Sequence, residues 1–262
     1  NYDQPFSPVP NVTVTFRNAG HLLGSAAIRL DIVENGEKKS IWFSGDIGRM
    51  DLPLLPEPVL PSDVDYLVME CTYGSRHHDS VEQAYNDFRD VMVSTIKRRG
   101  KVIIPAFAVG RTQEIVYFLN QLISDRTIPA VPVYVDSPLA VEASKIFRSH
   151  PEYFDKETFE FIREAKHPAL DFKGLTYVAS VDESKRLNDM DEPMVIISAS
   201  GMAEAGRILH HLRNNIENPR NTILIVGWQA PHTLGRRLAE EEKRVRIFGQ
   251  LFDVRAEIRK IT

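Results

Sequence analysis

The sequence predicts an α/β protein made of two unlike portions, a β-rich front portion and a doubly wound portion with a mainly parallel sheet. Three observations predict it. Along residues 12–16 and 26–33 apolar and polar residues alternate, as in strands buried on one face. From about residue 80 onward, short continuous apolar runs at 102–107, 194–198 and 222–226 alternate with stretches of helical periodicity. That pattern belongs to a parallel sheet covered by helices on both faces. Finally, 262 residues with 43% hydrophobic and 26% charged content suffice for one large domain or two medium ones with a sizeable core.

The elements follow in order. Strands at 12–16 and 26–33 lead through Asn35-Gly36, a two-residue hairpin signal, into a strand at 40–43. Residues 65–71 read as a more continuous apolar strand. Ser80-Val81-Glu82-Gln83 has the capping-box pattern and opens a helix running to about Arg98. A strand at 102–107, a helix at 112–123 and a strand at 131–135 come next. Ser137-Pro138 starts another helix, proline being preset for the first helical position. A short strand at 176–179 precedes a second capping box, Ser180-Val181-Asp182-Glu183, and then come a strand at 194–198, a helix at 204–214 and a strand at 222–226. Residues 245–261 alternate again and are expected to return to the first sheet. The expected division is 1–78, 79–240 and 241–262.

Composition narrows the partners. Thirty-two basic against 36 acidic residues give a formal charge of −4, which excludes a uniformly basic surface but leaves room for a local nucleic-acid patch. Candidate patches are Lys97-Arg98-Arg99-Gly100-Lys101, Arg236-Arg237 and Lys243-Arg244-Val245-Arg246, of which the first and third read as ordinary solvated surface. The longest apolar run, 102–109, is too short to span a bilayer and contains a proline, so no membrane partner is expected. The polar, proline-rich residues 1–10 are not expected to act as a secretory signal. A single cysteine, Cys71, cannot form an internal disulfide and fits a reducing cytoplasm; within its strand-like run it is expected to be a small buried hydrophobe.

Chemistry concentrates at turns. His21 lies in Asn18-Ala19-Gly20-His21-Leu22-Leu23-Gly24-Ser25-Ala26, Asp46 in Phe43-Ser44-Gly45-Asp46-Ile47-Gly48-Arg49, and Glu70 in Glu70-Cys71-Thr72-Tyr73-Gly74. Imidazole plus carboxylate is a ligand pair suited to zinc, and three such groups at strand ends form the skeleton of a metallohydrolase site. In the doubly wound portion, ligands bind outside the carboxyl ends of the strands. Four loops fall there, containing Arg111-Thr112, Asp136-Ser137-Pro138, Ser198-Ala199-Ser200-Gly201-Met202, and Gly227 through His232. Helix starts favour anions and the guanidinium forks of Arg111 and Arg207 suit phosphate, although such loops also serve any α/β domain as ordinary helix starts. His210 and His211 are adjacent on a helix, so at most one of them faces these loops. His232 is a further phosphate-contact candidate. His77, His78, His150 and His167 read as surface or structural residues.

Together these motifs resemble the metallo-β-lactamase superfamily, specifically the β-CASP nucleases. Ala19 to Ala26 is similar to the family's third metal-ligand motif, Ser44-Gly45-Asp46-Ile47-Gly48 to its fourth, and Glu70-Cys71-Thr72-Tyr73-Gly74 to the acidic motif that opens the β-CASP segment. Pro105 to Glu114, and Ser198 to Met202 with Gly206-Arg207, are similar to the inserted domain's signature loops. The resemblance implies part of an αββα metallo-β-lactamase sandwich plus an inserted Rossmann-like β-CASP domain. Residues 1–78 would be the C-terminal half of the sandwich domain, 79–240 the insertion, and 241–262 the return. It implies a zinc-dependent hydrolase of single-stranded RNA, endo- or 5′-exonucleolytic, in RNA processing or decay. His21 would bind one of two zinc ions, Asp46 would bridge both, and Glu70 would orient a histidine beside the scissile phosphate. Arg111, Thr112, Ser137, Ser200, Gly201, Arg207 and His211 would hold RNA phosphates, and a homodimer is one assembly the chain could form. The chain departs from the family in one respect: the His-x-His-x-Asp-His motif expected upstream of His21 and the histidines expected after residue 250 do not occur in it. The expectation is therefore a central portion of a longer nuclease, metal-poor and inactive by itself. The alternatives are a non-catalytic RNA-binding or scaffold homologue, and a metallohydrolase acting on DNA or a small ester.

Overall fold

The computed structural model describes residues 1–75, 78–165 and 168–261, so that His77 and His167 lie outside the described residues. The chain forms two compact units, Asn1–His77 with His150–Glu160, and His78–Ser149 with Phe161–Thr262.

The first unit holds a five-stranded sheet of β1 (Phe6–Val9), β2 (Val12–Asn18), β3 (Ala26–Glu34), β4 (Glu37–Phe43) and β5 (Tyr66–Val68), in that spatial order. The first four are antiparallel and β5 runs parallel to β4. The β3–β4 hairpin turns at Asn35-Gly36, with Glu34 opposite Glu37. The Asp65 carboxylate joins β5 to β4. It accepts from the backbone N–H of Ser40 at 2.7 Å and from the Ser40 hydroxyl at 3.0 Å, and these bonds hold its pKa below the usual carboxylate value. The apolar run at 65–71 yields a strand of only three residues because its partner β4 ends at Phe43. Cys71 lies beyond the paired stretch and is exposed, contrary to the expectation of burial. Residues 150–160 join this unit through Leu54, which is almost fully buried. Its N–H donates to the Thr158 hydroxyl at 3.2 Å and its carbonyl accepts from Asp155 N–H at 3.3 Å.

The second unit opens with α1 (Val81–Lys97) and continues as β6 (Val102–Pro105), α2 (Arg111–Ser124), β7 (Val133–Val135) and α3 (Pro138–Ser149). The chain then visits the first unit, with a 3₁₀ turn at Pro151–Tyr153 and the start of α4 (Lys156–Ala165), and returns for β8 (Leu175–Tyr177), α5 (Val181–Asp189), β9 (Val195–Ser198), α6 (Ile208–Asn215), β10 (Thr222–Val226) and α7 (Leu234–Ala239). A hairpin of β11 (Arg244–Ile247) and β12 (Gln250–Asp253) precedes β13 (Glu257–Ile261). The six-stranded sheet has the order β13-β10-β6-β9-β7-β8 and is parallel throughout. Its central strands are the uninterrupted apolar runs of the sequence: Val102, Ile103, Ile104, Val195, Ile196 and Ile197 have no exposed surface. The fold class read from the sequence is thus the fold found, a mixed sheet plus an all-parallel one. Residues 245–261 are a correction. They do not return to the first sheet; β13 pairs with β10 from Thr222↔Glu257 to Val226↔Ile261.

Local chemistry sets the helix starts. Ser180 forms a complete capping box, its hydroxyl accepting from Glu183 N–H while Glu183 accepts from Ser180 N–H. Ser80 caps α1 through Gln83 N–H, but the Gln83 side chain turns to Asp87 instead of closing the box. The helix expected from residue 204 starts later, at Ile208, because the Ser200 hydroxyl accepts the N–H groups of Glu204 and Ala205 and ties them into a turn. Among the described residues no helix is long and apolar enough to cross a membrane.

Candidate active site and strand-end cluster

In the first unit, the turns after β2 and β4 are docked backbone to backbone. Gly48 N–H donates to the Ala19 carbonyl at 2.8 Å, and a Cβ on Gly48 would run into the backbone of Gly20 and His21. The glycine is what lets the two turns approach. The result is His21 Nε2 at 3.9 Å from Asp46 Oδ2, both open to solvent, with the side chains 42% and 77% exposed. Glu70, just past β5, stands beside them. Its carboxylate accepts from Ile47 N–H at 2.9 Å and Thr72 N–H at 3.3 Å. Partial burial pushes its pKa up, but the Thr72 and Ile47 hydrogen bonds and the nearby His21 outweigh that and leave it lowered. The structure therefore brings His21, Asp46 and Glu70 together, as their strand-end positions suggested.

The fit to a metal is partial. One imidazole nitrogen and one carboxylate oxygen are the right donor types, and their spacing is near the roughly 3.3 Å between two zinc ligands about 2.0 Å from the metal. Glu70 is committed to backbone N–H groups. No group of three or more His, Cys, Asp or Glu side chains converges as a metal site among the described residues. These residues supply two ligands and do not close a zinc centre.

In the second unit the carboxyl ends of the strands carry the expected loops. From β6 the chain crosses to β7 and β8 on one side, returns to β9, and then passes to β10 and β13 on the other. The direction therefore switches around β6 and β9, where such sheets bind ligands. The centre of this edge is Asp136, which the sequence places in one of these loops without marking it out from its neighbours. Fully buried, it accepts from Ser184 Oγ at 2.5 Å, His211 Nε2 at 2.6 Å and Arg207 Nη1 at 2.7 Å. Burial pushes its pKa up; the bonds from His211, Ser184 and Arg207 more than reverse this, and the carboxyl stays below its ordinary value. Arg207 also donates to the carbonyls of Val178 and Ala179, so one guanidinium ties together the loops after β7, β8 and β9.

Most of the expected phosphate contacts are thereby committed inside the protein. Arg207 and fully buried His211 belong to the Asp136 cluster. Thr112, also buried, donates to the Phe107 carbonyl at 2.7 Å, and Ser137 caps α3 through Ala140 N–H. Ser200 serves its own turn and Gly201 is buried. Arg111 is part-exposed and paired with Glu114 at 2.7 Å. The adjacent histidines diverge as helix geometry requires: His211 points inward, whereas exposed His210 lies 4.7 Å, centroid to centroid, from Phe248. His232 is exposed, and His150 pairs with Glu152 at 2.8 Å. The basic patches are largely ion-paired, Arg98 with Glu257, Arg236 with Glu240, Arg237 with Glu242 and Arg244 with Asp253.

One unit whose mixed sheet carries a histidine–carboxylate pair and another whose six-stranded parallel sheet has a polar cluster at its switch point make this an α/β protein. Sequence comparison makes this specific. Residues 112–238 match the family model described as Beta-Casp domain. The chain is 36% identical to Ribonuclease TTHA0252 of Thermus thermophilus, over 94% of this chain and 56% of that protein. It is 32% identical to the RNase J-like protein of Methanocaldococcus jannaschii, over 100% and 59% respectively. It is 33% identical to transcription termination factor FttA of Methanosarcina mazei, over 95% and 39%. The chain thus carries a β-CASP domain, and it spans between about two-fifths and three-fifths of the length of these curated relatives.

Proposed function

We propose that the whole protein is a metal-dependent phosphodiesterase that hydrolyses single-stranded RNA, with residues 1–78 forming part of its metallo-β-lactamase domain and 79–240 its β-CASP domain. The observation that carries the reading is the His21–Asp46 pair, two exposed ligand-type groups held 3.9 Å apart by docked turns, in a chain whose relatives include a protein named as a ribonuclease. His21 and Asp46 would contribute two ligands to zinc, which supplies Lewis acidity toward phosphate and a nucleophilic water near neutral pH. Glu70, whose carboxylate accepts from two backbone N–H groups, would orient a histidine beside the scissile phosphate. The Asp136–Arg207–His211 cluster would keep the strand-end loops rigid, and Arg111 and Ser200 are part-exposed members of the expected phosphate set at that edge.

The test is substrate choice. The whole protein, supplied with zinc, is given equal concentrations of a single-stranded RNA, the same sequence as DNA, and a small phosphodiester. RNA is expected to be cleaved fastest; equal or faster turnover of DNA or the small diester would overturn the RNA assignment.

A further inference from the structure

The strand-end edge of the second unit carries one conspicuous group with no inward role. In residues 101–108 every residue is buried except Phe107, whose surface is 50% exposed. It sits just past the end of β6, beside β9, where the sheet's connections change direction. Its backbone is pinned, the carbonyl accepting both Thr112 N–H and Thr112 Oγ1–H. Its ring is braced against the loop after β9: a Cβ on Gly201 would approach Phe107 Cδ2 to 2.8 Å and Cε2 to 3.0 Å. An aromatic ring is thus supported along one side by a glycine and open on the other. Thr112, whose N–H and hydroxyl meet the Phe107 carbonyl, is buried, and elsewhere on this edge Ser137, Arg207 and His211 are turned into the protein. What this part of the edge offers a ligand is a π face, with the part-exposed Arg111 four residues along.

We propose that Phe107 is a stacking platform for a nucleobase of single-stranded RNA. This rests on the RNA reading above and deepens it. Every base has a π face, and stacking on an aromatic side chain contributes about 1–3 kcal/mol per base with little sequence preference. A contact of this kind grips RNA without selecting its sequence. Gly201 acquires a specific reason: any side chain there would displace the ring.

The experiment uses the whole protein with a chelator present, so that binding is read without turnover. The probes are a short oligoadenylate and the same ribose-phosphate backbone made abasic. The wild type should bind oligoadenylate more tightly. Phe107→Ala should weaken oligoadenylate binding about 5- to 150-fold and leave abasic binding unchanged. Phe107→Trp should keep the affinity, and its fluorescence should be quenched by oligoadenylate but not by the abasic chain. Three results overturn the proposal while leaving the RNA reading in place: undiminished oligoadenylate binding by Phe107→Ala, equal weakening of both probes, or full affinity in the apolar but non-aromatic Phe107→Leu. A wild type that binds neither probe overturns the RNA reading and this proposal with it.

Discussion

Replacing Asp136 with alanine removes the acceptor at the centre of the strand-end cluster. Three charge-assisted or short hydrogen bonds disappear together, from Ser184, His211 and Arg207. Breaking a buried pair by deleting one partner costs about 3–5 kcal/mol, because the other charge is left uncompensated. The lower end applies here. Arg207 keeps its bonds to the carbonyls of Val178 and Ala179, and its side chain retains 18% exposure, so water reaches part of the orphaned charge. The expected loss is therefore about 3 kcal/mol. For a protein of this size that lowers the melting temperature by roughly 6–12 °C. Urea titration followed by circular dichroism gives the free energy, and a thermal scan gives the shift. A loss below about 1 kcal/mol would refute the reasoning, since it would mean that these groups are solvated in the folded protein and the cluster does not hold the loops.

Three further outcomes follow from the same geometry. Asp136 has its folded pKa held below the unfolded value of about 3.9, so its contribution is complete above that value and lost as pH falls through the folded pKa. Wild-type stability should accordingly drop below about pH 4, and Asp136→Asn should flatten that acid limb; an unchanged limb in urea titrations across pH would show that other carboxylates cause it. Gly48→Ala forces a methyl group against the Gly20 backbone and should cost about 1–3 kcal/mol while spreading His21 from Asp46; unaltered stability together with unaltered zinc affinity would argue that the two turns are not docked. Arg111→Ala should weaken RNA binding uniformly across sequences and reduce the slope of log affinity against log salt by about 1. If the slope is unchanged in a salt titration, Arg111 does not meet a phosphate.

The architecture was legible where local pattern and tertiary role coincide. Continuous apolar runs such as Val102-Ile103-Ile104 became the central parallel strands, and Ser180 with Glu183 formed its capping box. The misreadings share a cause: the deciding partner lies far away in sequence. The length of β5 is set by where β4 ends, and the alternation at 257–261 identifies a strand without saying that β10 is its neighbour. Nothing local announces that Thr158 packs on Leu54, 104 positions earlier. In the candidate site, glycine-flanked turns gave away His21 and Asp46. Asp136 was hidden because, between Val135 and Ser137, it looks like an ordinary helix-start residue. Only the fold supplies its partners Ser184 and His211, 48 and 75 positions on. Arg207 reads as a phosphate contact by residue type and His211 by the resemblance, but the structure spends their side chains on the protein itself.

The most direct test of the account is cleavage of single-stranded RNA by the whole protein and by its Asp46→Ala variant, each supplied with zinc and shown by circular dichroism to be folded. Asp46 is 77% exposed, so its loss should leave the fold intact. The account predicts that the wild type cuts and that the variant loses at least about a hundredfold in rate, the scale on which disturbing a metal site acts. Equal rates for the two proteins would contradict it.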